Sequence, residues 1–274
     1  MKKHKLYAPP APPVIPNAPD RMTQEITALS FNAWTNRDSL GERLHGVVQT
    51  IKNAMPDSFG LQEAHGLWRE PIKQALCDDY AIACQQGREL SDIDEGVPVF
   101  YLKNKYELAE EGVFWLSETP EKASMGWDAA CERMAGYAVL KDKTTGFMYV
   151  HFNTHLDHKG AIAMTNGARQ VADKINAMGL PAVLTGDLND TPGSRPMEYL
   201  AAGGLKDLRA AAAETDDGET FHGYGSKDGG KIIDYVMANH YLREAKSYRV
   251  VRDKYDGMYP SDHFAVMAIF TLAN

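Results

Sequence analysis

The sequence predicts a mixed α/β fold in which two β-sheets pack face to face and helices cover their outer faces. Apolar runs of strand length outnumber runs with helical periodicity, and neither linker-like composition nor an internal repeat interrupts the chain after Ile26. Many strands and few helices in one unbroken unit bury their apolar faces most readily as packed sheets with helices outside. A chain of 274 residues suits one large α/β domain or two small ones, and the even composition favours a single domain over 23–274.

Residues 1–22 read as an extended arm, because six of the 14 prolines fall at 8–19 and such a stretch is semi-rigid and peripheral rather than catalytic. "ITALSFNAW" (26–34) and "FGLQEAH" (59–65) read as strands. Between them "DSLGERLHGVVQTIKNAM" (38–55) places Leu40, Leu44, Val47, Val48 and Ile51 on one face at helical spacing. "VPVFYLKN" (97–104), "YELAEEGVFWL" (106–116), "AGYAVLKD" (135–142) and "GFMYVHFNTHL" (146–156) predict a strand-rich middle, with a hairpin turn at "KDKTTGF". "NGARQVADKINAMG" (166–179) predicts a helix closed by Gly179. The strands "LPAVLTGDLND" (180–190), "KIIDYVMANH" (231–240) and "HFAVMAIFTLA" (263–273) complete the set.

Hydrophobic residues make up 44% and charged residues 24% of the chain, a mixture able to form a sizeable core. The net charge of -8 argues against a broad basic surface for nucleic acid. It leaves a nuclease open, since a carboxylate cluster for divalent cations is itself acidic. Cys77, Cys84 and Cys131 form no Cys-x-x-Cys pair, which points to free thiols in a reducing compartment. The first residues are basic but lack the apolar core of a signal peptide, and no apolar run approaches the roughly 20 residues of a membrane span. The expected location is the cytoplasm. Nothing in the sequence speaks to oligomeric state.

Polar residues cluster where apolar runs end. Asn32, Glu63, Asn153 with His155, Asp187 with Asn189, and Asp234 lie within or at the ends of predicted strands, and Asp262 and His263 precede the last one. Side chains two apart on a strand share a face, so Asn153 with His155, and Asp187 with Asn189, can each present a pair to one side. Taken singly, Asp187 and Asn189 read as turn formers beside Thr191-Pro192-Gly193. Glu63 alone reads as a surface acid, His155 as a core histidine and Asp262 as a cap. Together they form a set of hard oxygen donors suited to Mg2+, without the His or Cys spacing of a zinc site.

With these residues in this order, the chain resembles the endonuclease/exonuclease/phosphatase superfamily. That group includes pancreatic-type deoxyribonucleases, abasic-site endonucleases, deadenylases, inositol polyphosphate phosphatases and neutral sphingomyelinases. The resemblance is carried by "SFNAW" (30–34), "GLQEAH" (60–65), "NTHLDH" (153–158), "TGDLND" (185–190), "IIDYVM" (232–237) and "SDHFAV" (261–266). "FWLSETP" (114–120), "GWDAACER" (126–133) and "TFHG" (220–223) resemble a bacterial branch close to its deadenylase and nocturnin-like members. The resemblance implies a four-layered α-β-β-α sandwich of two mixed sheets, deoxyribonuclease-like, with the site at one edge. It implies a phosphoesterase dependent on Mg2+ or Mn2+, with Asn32, Glu63 and Asp262 about the ion. By the same resemblance Asp187 and Asn189 orient the attacking water, His155 and His263 contact the phosphate, and Asp234 fixes the tautomer of His263.

Arg133 reads either as a bidentate grip on a phosphate oxygen or as a surface partner of Glu132, and Asn153 joins it as a substrate-binding candidate. Glu95, just before "GVPVFY" (96–101), reads either as an acid approaching the metal site or as part of a solvated loop. Trp115, Trp127, Phe221, Tyr224 and Tyr259 fall in or beside loops, where they either stack on a base or sugar or pack those loops; Trp34 and Trp68 read as core or near-core. A small phosphorylated molecule, such as a nucleotide or sugar phosphate, fits the acidic balance. The alternatives are a nuclease acting on DNA or RNA and, more remotely, an inactive binding module. No apolar hairpin suited to a sphingomyelinase-like role is evident.

Overall fold

The structure, a computed structural model, describes residues 21–36 and 39–274, so the expected N-terminal arm lies, up to residue 20, outside the described residues. The first half contains β1 (Thr23–Asn32), α1 (Leu40–Ala54), β2 (Ser58–Gln62), α2 (Gly66–Ala75), β3 (Tyr80–Ala83), β4 (Val99–Leu102), β5 (Tyr106–Trp115) and β6 (Met134–Asp142). The second half contains β7 (Met148–His155), α3 (Ala161–Met178), β8 (Ala182–Asp187), α4 (Arg195–Ala202), β9 (Lys206–Asp207) and α5 (Leu208–Ala211). It ends with β10 (Glu214–Thr215), β11 (Asp234–Ala238), β12 (Leu242–Val251) and β13 (Ala265–Ala273).

The strands form a seven-stranded sheet in the order β10-β12-β13-β1-β2-β4-β3 and a six-stranded sheet in the order β5-β6-β7-β8-β11-β9. Both are mixed: β1 runs parallel to β2 and antiparallel to β13, while β7 runs parallel to β8 and antiparallel to β6. Between the sheets lies a core drawn from both, including Ile26, Val99, Leu140, Tyr149, Val236 and Phe270. Val47, Ile51, Trp68 and Ile72 of α1 and α2 seal the outer face of the first sheet against Leu29, Phe31, Phe59 and Leu61. Val171, Ile175, Met197 and Leu200 of α3 and α4 seal the second against Phe152, Leu184 and Tyr235. Each such side chain, fully buried, stabilises the layer by roughly 1.5–3 kcal/mol. This is the four-layered α-β-β-α sandwich that the motifs implied.

The strand period of two decides what reaches the site. In β1, Leu29 and Phe31 face the helices while Ile26, Ala28, Ser30 and Asn32 face the other sheet. In β7, Val150 and Phe152 face α3, while Tyr149, His151, Asn153 and His155 point between the sheets. The inward row of each strand is apolar at one end and polar at the other. Its middle is a buried network in which His151 contacts Ser58 Oγ at 2.7 Å and Thr185 Oγ1 at 2.8 Å. Gly60 belongs to this layer, and a Cβ there would run into the Asn153 and Thr185 side chains.

Several elements differ from the sequence expectation. The helix α2 carries Pro71 within it, a residue that breaks the sequence signal for a helix. In α4, Pro196 sits in the first turn, where its missing N–H is tolerated. The helix α3 begins at Ala161 rather than 166 and ends, as expected, at Gly179 with φ 63°. The strand β12 has charged outward residues and two register shifts against β13, which obscure its alternation. Between β6 and β7 the expected hairpin is tied by Asp142 Oδ1, which accepts from the N–H groups of Thr144 and Thr145.

Candidate active site

The polar ends of β1, β2, β7, β8 and β11, with the loop before β13, meet at one edge of the sandwich. They border a cavity of about 670 Å3 lined by Glu63, His155, Asp187, Asn189, Asp262 and His263 among others. That volume falls within the range of small-molecule sites. At its base, Asn32 donates its amide hydrogens to Glu63 Oε1 at 3.1 Å and Asp187 Oδ2 at 3.0 Å. The Trp34 N–H donates to Asn32 Oδ1 at 2.9 Å, and the Thr35 N–H to Glu63 Oε2 at 2.6 Å. Asn32 was expected about the ion through its oxygen. The structure instead turns its nitrogen toward the two carboxylates, so it joins them as a bridge.

Asp187 is buried beneath two imidazoles. His155 Nε2 lies 3.4 Å and His263 Nε2 3.7 Å from Asp187 Oδ2. The Asn189 N–H donates to Asp187 Oδ1 at 2.9 Å, and the Asn189 amide donates to the Leu156 carbonyl at 3.0 Å. On its other edge His263 Nδ1 meets Asp234 Oδ2 at 2.9 Å. The fully buried Asp234 is held in turn by its own N–H donating to Thr220 Oγ1. Ser261 Oγ donates to the Asn32 carbonyl at 2.7 Å, tying the His263 loop to the end of β1.

Three residues lining the cavity, Trp34, Glu63 and Asn189, have φ between 53° and 57°. Such a conformation strains a side-chain-bearing residue by roughly 1–3 kcal/mol and persists only where the surroundings fix it. Here it lets the chain leave each strand while aiming the side chain back into the cavity.

The two histidines differ in charge. Burial disfavours the protonated form of His263, but the carboxylates of Asp234 and Asp187 outweigh it and hold the ring as imidazolium well above the usual histidine range. Burial keeps His155 neutral, reinforced by the charges of Arg133 and Arg88. The two rings that the resemblance sets against the phosphate thus differ, His263 favoured as imidazolium and His155 as the neutral ring. Burial lifts Asp187 above the usual carboxylate range, with Asp234 adding to the rise and His263 opposing it. Burial also lifts Asp262 to about 6, opposed by His263 and aided by Glu63. Asp187, Asp234 and His263 carry ligand-type atoms within 4.8 Å of one another, and Glu63 and Asp262 add carboxylates to the same hollow. This surplus of hard oxygen donors fits a divalent cation.

Asn153 is not part of this hollow. It shares the face of His155 but lies two residues deeper. Its amide donates to the carbonyls of Leu61 and Pro98, and its oxygen accepts from Gln62 and Thr185. Every hydrogen-bonding group is used between the sheets, so Asn153 has nothing to offer a substrate. Arg133 does line the cavity, and Glu132 accepts from Leu90 N–H and the Trp115 indole instead of pairing with it.

Other residues enter that the sequence did not single out. Arg88, His158 and Lys231 line the cavity. Glu95, read as either a metal-site or a loop acid, lines the cavity, buried and paired with Arg88 at 2.6 Å. Trp34, read as core or near-core, forms part of the cavity wall, as does Phe221, and meets Tyr224 at 5.3 Å between ring centroids. Trp68 is core, as expected, and Trp115 packs the scaffold. No helix among the described residues is long and apolar enough to cross a membrane, and all three cysteines are free.

Residues 29–263 match the family described as the Endonuclease/Exonuclease/phosphatase family. Among solved structures, an endonuclease/exonuclease/phosphatase family protein from Bacteroides thetaiotaomicron is 29% identical, with a TM-score of 0.83 over 92% of this chain and 99% of that one. An endonuclease/exonuclease/phosphatase from Bacteroides vulgatus is 32% identical, with a TM-score of 0.83 over 91% and 99%. A mannosyl-6-phosphatase from Bacteroides thetaiotaomicron is 29% identical, with a TM-score of 0.82 over 89% and 99%. No curated protein matches the chain.

Proposed function

The chain belongs to the endonuclease/exonuclease/phosphatase family, whose members are divalent-metal-dependent phosphoester hydrolases, and from that premise we propose that it hydrolyses a compact phosphorylated molecule with Mg2+. The observation that carries this reading is the cavity of about 670 Å3 itself, with carboxylates and an imidazolium at its base and Arg88, Arg133 and Lys231 about its walls. Such a hollow suits a small anionic ligand better than an extended polynucleotide. The likeness to a mannosyl-6-phosphatase supports a sugar phosphate as the kind of substrate to try first.

In this reading Glu63 and Asp262 hold the cation, and Asn32 keeps Glu63 and Asp187 in register through its two amide hydrogens. A bound divalent cation supplies Lewis-acid stabilisation of charge on the phosphoryl oxygens. Asp187 and Asn189 orient the attacking water, and Asp187 receives its proton. Burial helps here, because a carboxylate raised toward neutrality is a better proton acceptor. His263 donates from Nε2 to a phosphoryl oxygen, with Asp234 fixing the ring and its charge from behind. His155 contacts the phosphoryl group as a neutral ring, and Arg133 contributes a further cationic donor. Holding the water beforehand lowers the entropy lost on reaching the transition state.

The test is a turnover screen of the purified protein with Mg2+ or Mn2+ against sugar phosphates, nucleotides, a generic phosphodiester and oligonucleotides. Asp187→Ala and His263→Ala should lose kcat with less effect on KM. Turnover undiminished in both variants would refute the assignment. Cleavage confined to oligonucleotides would replace the small-molecule reading with the nuclease one.

A further inference from the structure

We propose that Cys131, Asp157 and His158 form a second metal site at the rim of the cavity, one that takes Zn2+ and inhibits turnover when filled. Binding of the ion stands independently of the phosphoesterase reading above; only its effect on turnover rests on that reading.

Two loops at the same edge of the second sheet supply the ligands. Cys131 lies in the loop before β6, and Asp157 and His158 follow β7, its antiparallel neighbour. For that reason no local zinc spacing marks them in the sequence. The fold brings a thiol sulfur, a carboxylate oxygen and an imidazole nitrogen of these residues within 4.8 Å of one another, and Cys131 and His158 both line the cavity. Ligand atoms of a tetrahedral zinc, about 2.0–2.3 Å from the ion, lie ~3.3–3.8 Å apart, so the side chains need to close by roughly 1–1.5 Å at most. Cys131 is a free, half-buried thiol and His158 is exposed, which leaves both room to rotate.

The third ligand is fixed in advance. Asp157, 2% exposed, accepts from the Lys159 and Gly160 N–H groups at Oδ1 and from the Ala130 N–H at Oδ2, each at 2.8 Å. Oδ2 therefore keeps a lone pair, and its Ala130 contact ties the carboxylate to the residue next to Cys131. Burial opposes the charge of Asp157, but these N–H groups outweigh it and keep the group ionised. Burial and the charge of Arg133 keep His158 neutral, the form that ligates a metal. A thiolate and a carboxylate together balance the charge of Zn2+. The sulfur sets this group apart from the oxygen donors of Glu63 and Asp262, which suit Mg2+.

An ion bound here reaches the substrate side through Arg133. Its Nη2 lies 3.1 Å from His158 Nδ1. A guanidinium only donates, so Nδ1 accepts and the ring proton sits on Nε2. An ion at Nδ1 takes the lone pair that Arg133 uses. An ion at Nε2 needs the ring proton on Nδ1, where it faces a second donor. Either way the contact is lost, and the charge of Zn2+ repels the guanidinium that serves the phosphoryl group. The same repulsion limits affinity, which suits a reversible inhibitory ion rather than a structural one. As the sulfur–zinc bond forms, the S–H bond breaks and its proton passes to solvent, with no change of oxidation state.

The experiment adds Co2+, a coloured stand-in for Zn2+, to the purified chain saturated with Mg2+ under a non-thiol reductant. Wild type should show a thiolate-to-cobalt charge-transfer band in the near ultraviolet that added Zn2+ abolishes. The band should persist in Cys77→Ser and vanish in Cys131→Ser. His158→Gln should weaken Co2+ binding at least roughly tenfold and serves as the test if Cys131→Ser does not fold. In turnover with Mg2+, each variant measured against its own zinc-free rate, both Cys131→Ser and His158→Gln should raise the Zn2+ concentration for half inhibition at least roughly tenfold. No band in wild type, or a band retained in Cys131→Ser, would overturn the site. Wild-type turnover insensitive to Zn2+, or half inhibition unchanged in both variants because zinc acts at the Glu63 and Asp262 carboxylates, would overturn the inhibitory role. A wild type that binds Co2+ through Cys131 but hydrolyses no ester would refute the phosphoesterase reading, and the inhibition with it, while the metal site stands.

Discussion

Replacing Arg43 by methionine removes the group that joins the two loops flanking the base of the site. Arg43 is 3% exposed on α1. Its guanidinium donates to Ser39 Oγ and to the carbonyls of Ala33, Trp34, Asn36 and Pro260, all between 2.8 and 3.0 Å. It is also sandwiched between the rings of Trp34 and Trp68, at 4.6 and 4.7 Å from their centroids. One loop so held follows Asn32 and carries the Thr35 N–H to Glu63; the other precedes Asp262. Methionine fills most of the volume but leaves buried carbonyls without donors, each costing about 1–3 kcal/mol if water does not reach it. Such losses are not additive, and removing one member of a buried charged network costs about 3–5 kcal/mol. A loss of about 4 kcal/mol lowers the melting temperature of a chain this size by about 10 °C. Lysine keeps the charge but cannot span five acceptors, and should lose about half as much. Thermal unfolding followed by circular dichroism reads both. An Arg43→Met melting point within about 2 °C of wild type would refute the reasoning, because the network would then contribute nothing net.

Two further predictions concern pH. His151 is fully buried among Ser58, Tyr149 and Thr185, and burial pushes it down to about 3. Its folded-state pKa is depressed, so the unfolded chain binds this proton first. The stability is present above the ordinary histidine pKa and is lost as pH falls toward 3. Between pH 7 and 5 wild type should lose about 2 kcal/mol more than His151→Gln in denaturant unfolding, and parallel curves would contradict this. Asp234→Asn removes the anion that holds His263 protonated, so the ring's pKa falls and the imidazolium is lost as pH rises through neutrality. Its kcat should drop roughly 100-fold at pH 7.5 and recover partly on acidification; an unchanged pH profile would show that His263 charge is not used.

Much of the architecture was legible because its signals are local. The alternation in β1, β7, β8 and β11 announces both strand and inward face, and the polar ends of those runs mark one edge of the sandwich. Period two specifies a face but not a depth. That is why Asn153 was grouped with His155, although two residues deeper its oxygen accepts from Gln62 and Thr185 and its amide donates to Leu61 and Pro98. The helix α2 was hidden by Pro71, and β12 by the charges on its solvent face. Arg88 and Lys231 carry no pattern around them, and only the folded chain brings them to the cavity wall. The orientation of Asn32 depends on the Trp34 N–H two residues on, a backbone detail that no motif encodes. Glu95 stayed between metal site and solvated loop because nothing nearby in sequence announces its partner Arg88 seven positions earlier.

The central claim is that a water held beside Asp187 attacks phosphorus. Hydrolysis of a phosphomonoester in water enriched in oxygen-18, with Mg2+ present and the products read by mass spectrometry, tests it directly. The account predicts label in the released phosphate and none in the alcohol. Label in the alcohol would place the cleavage at carbon and contradict the mechanism, and a wild-type protein that releases no phosphate from any ester would contradict the function.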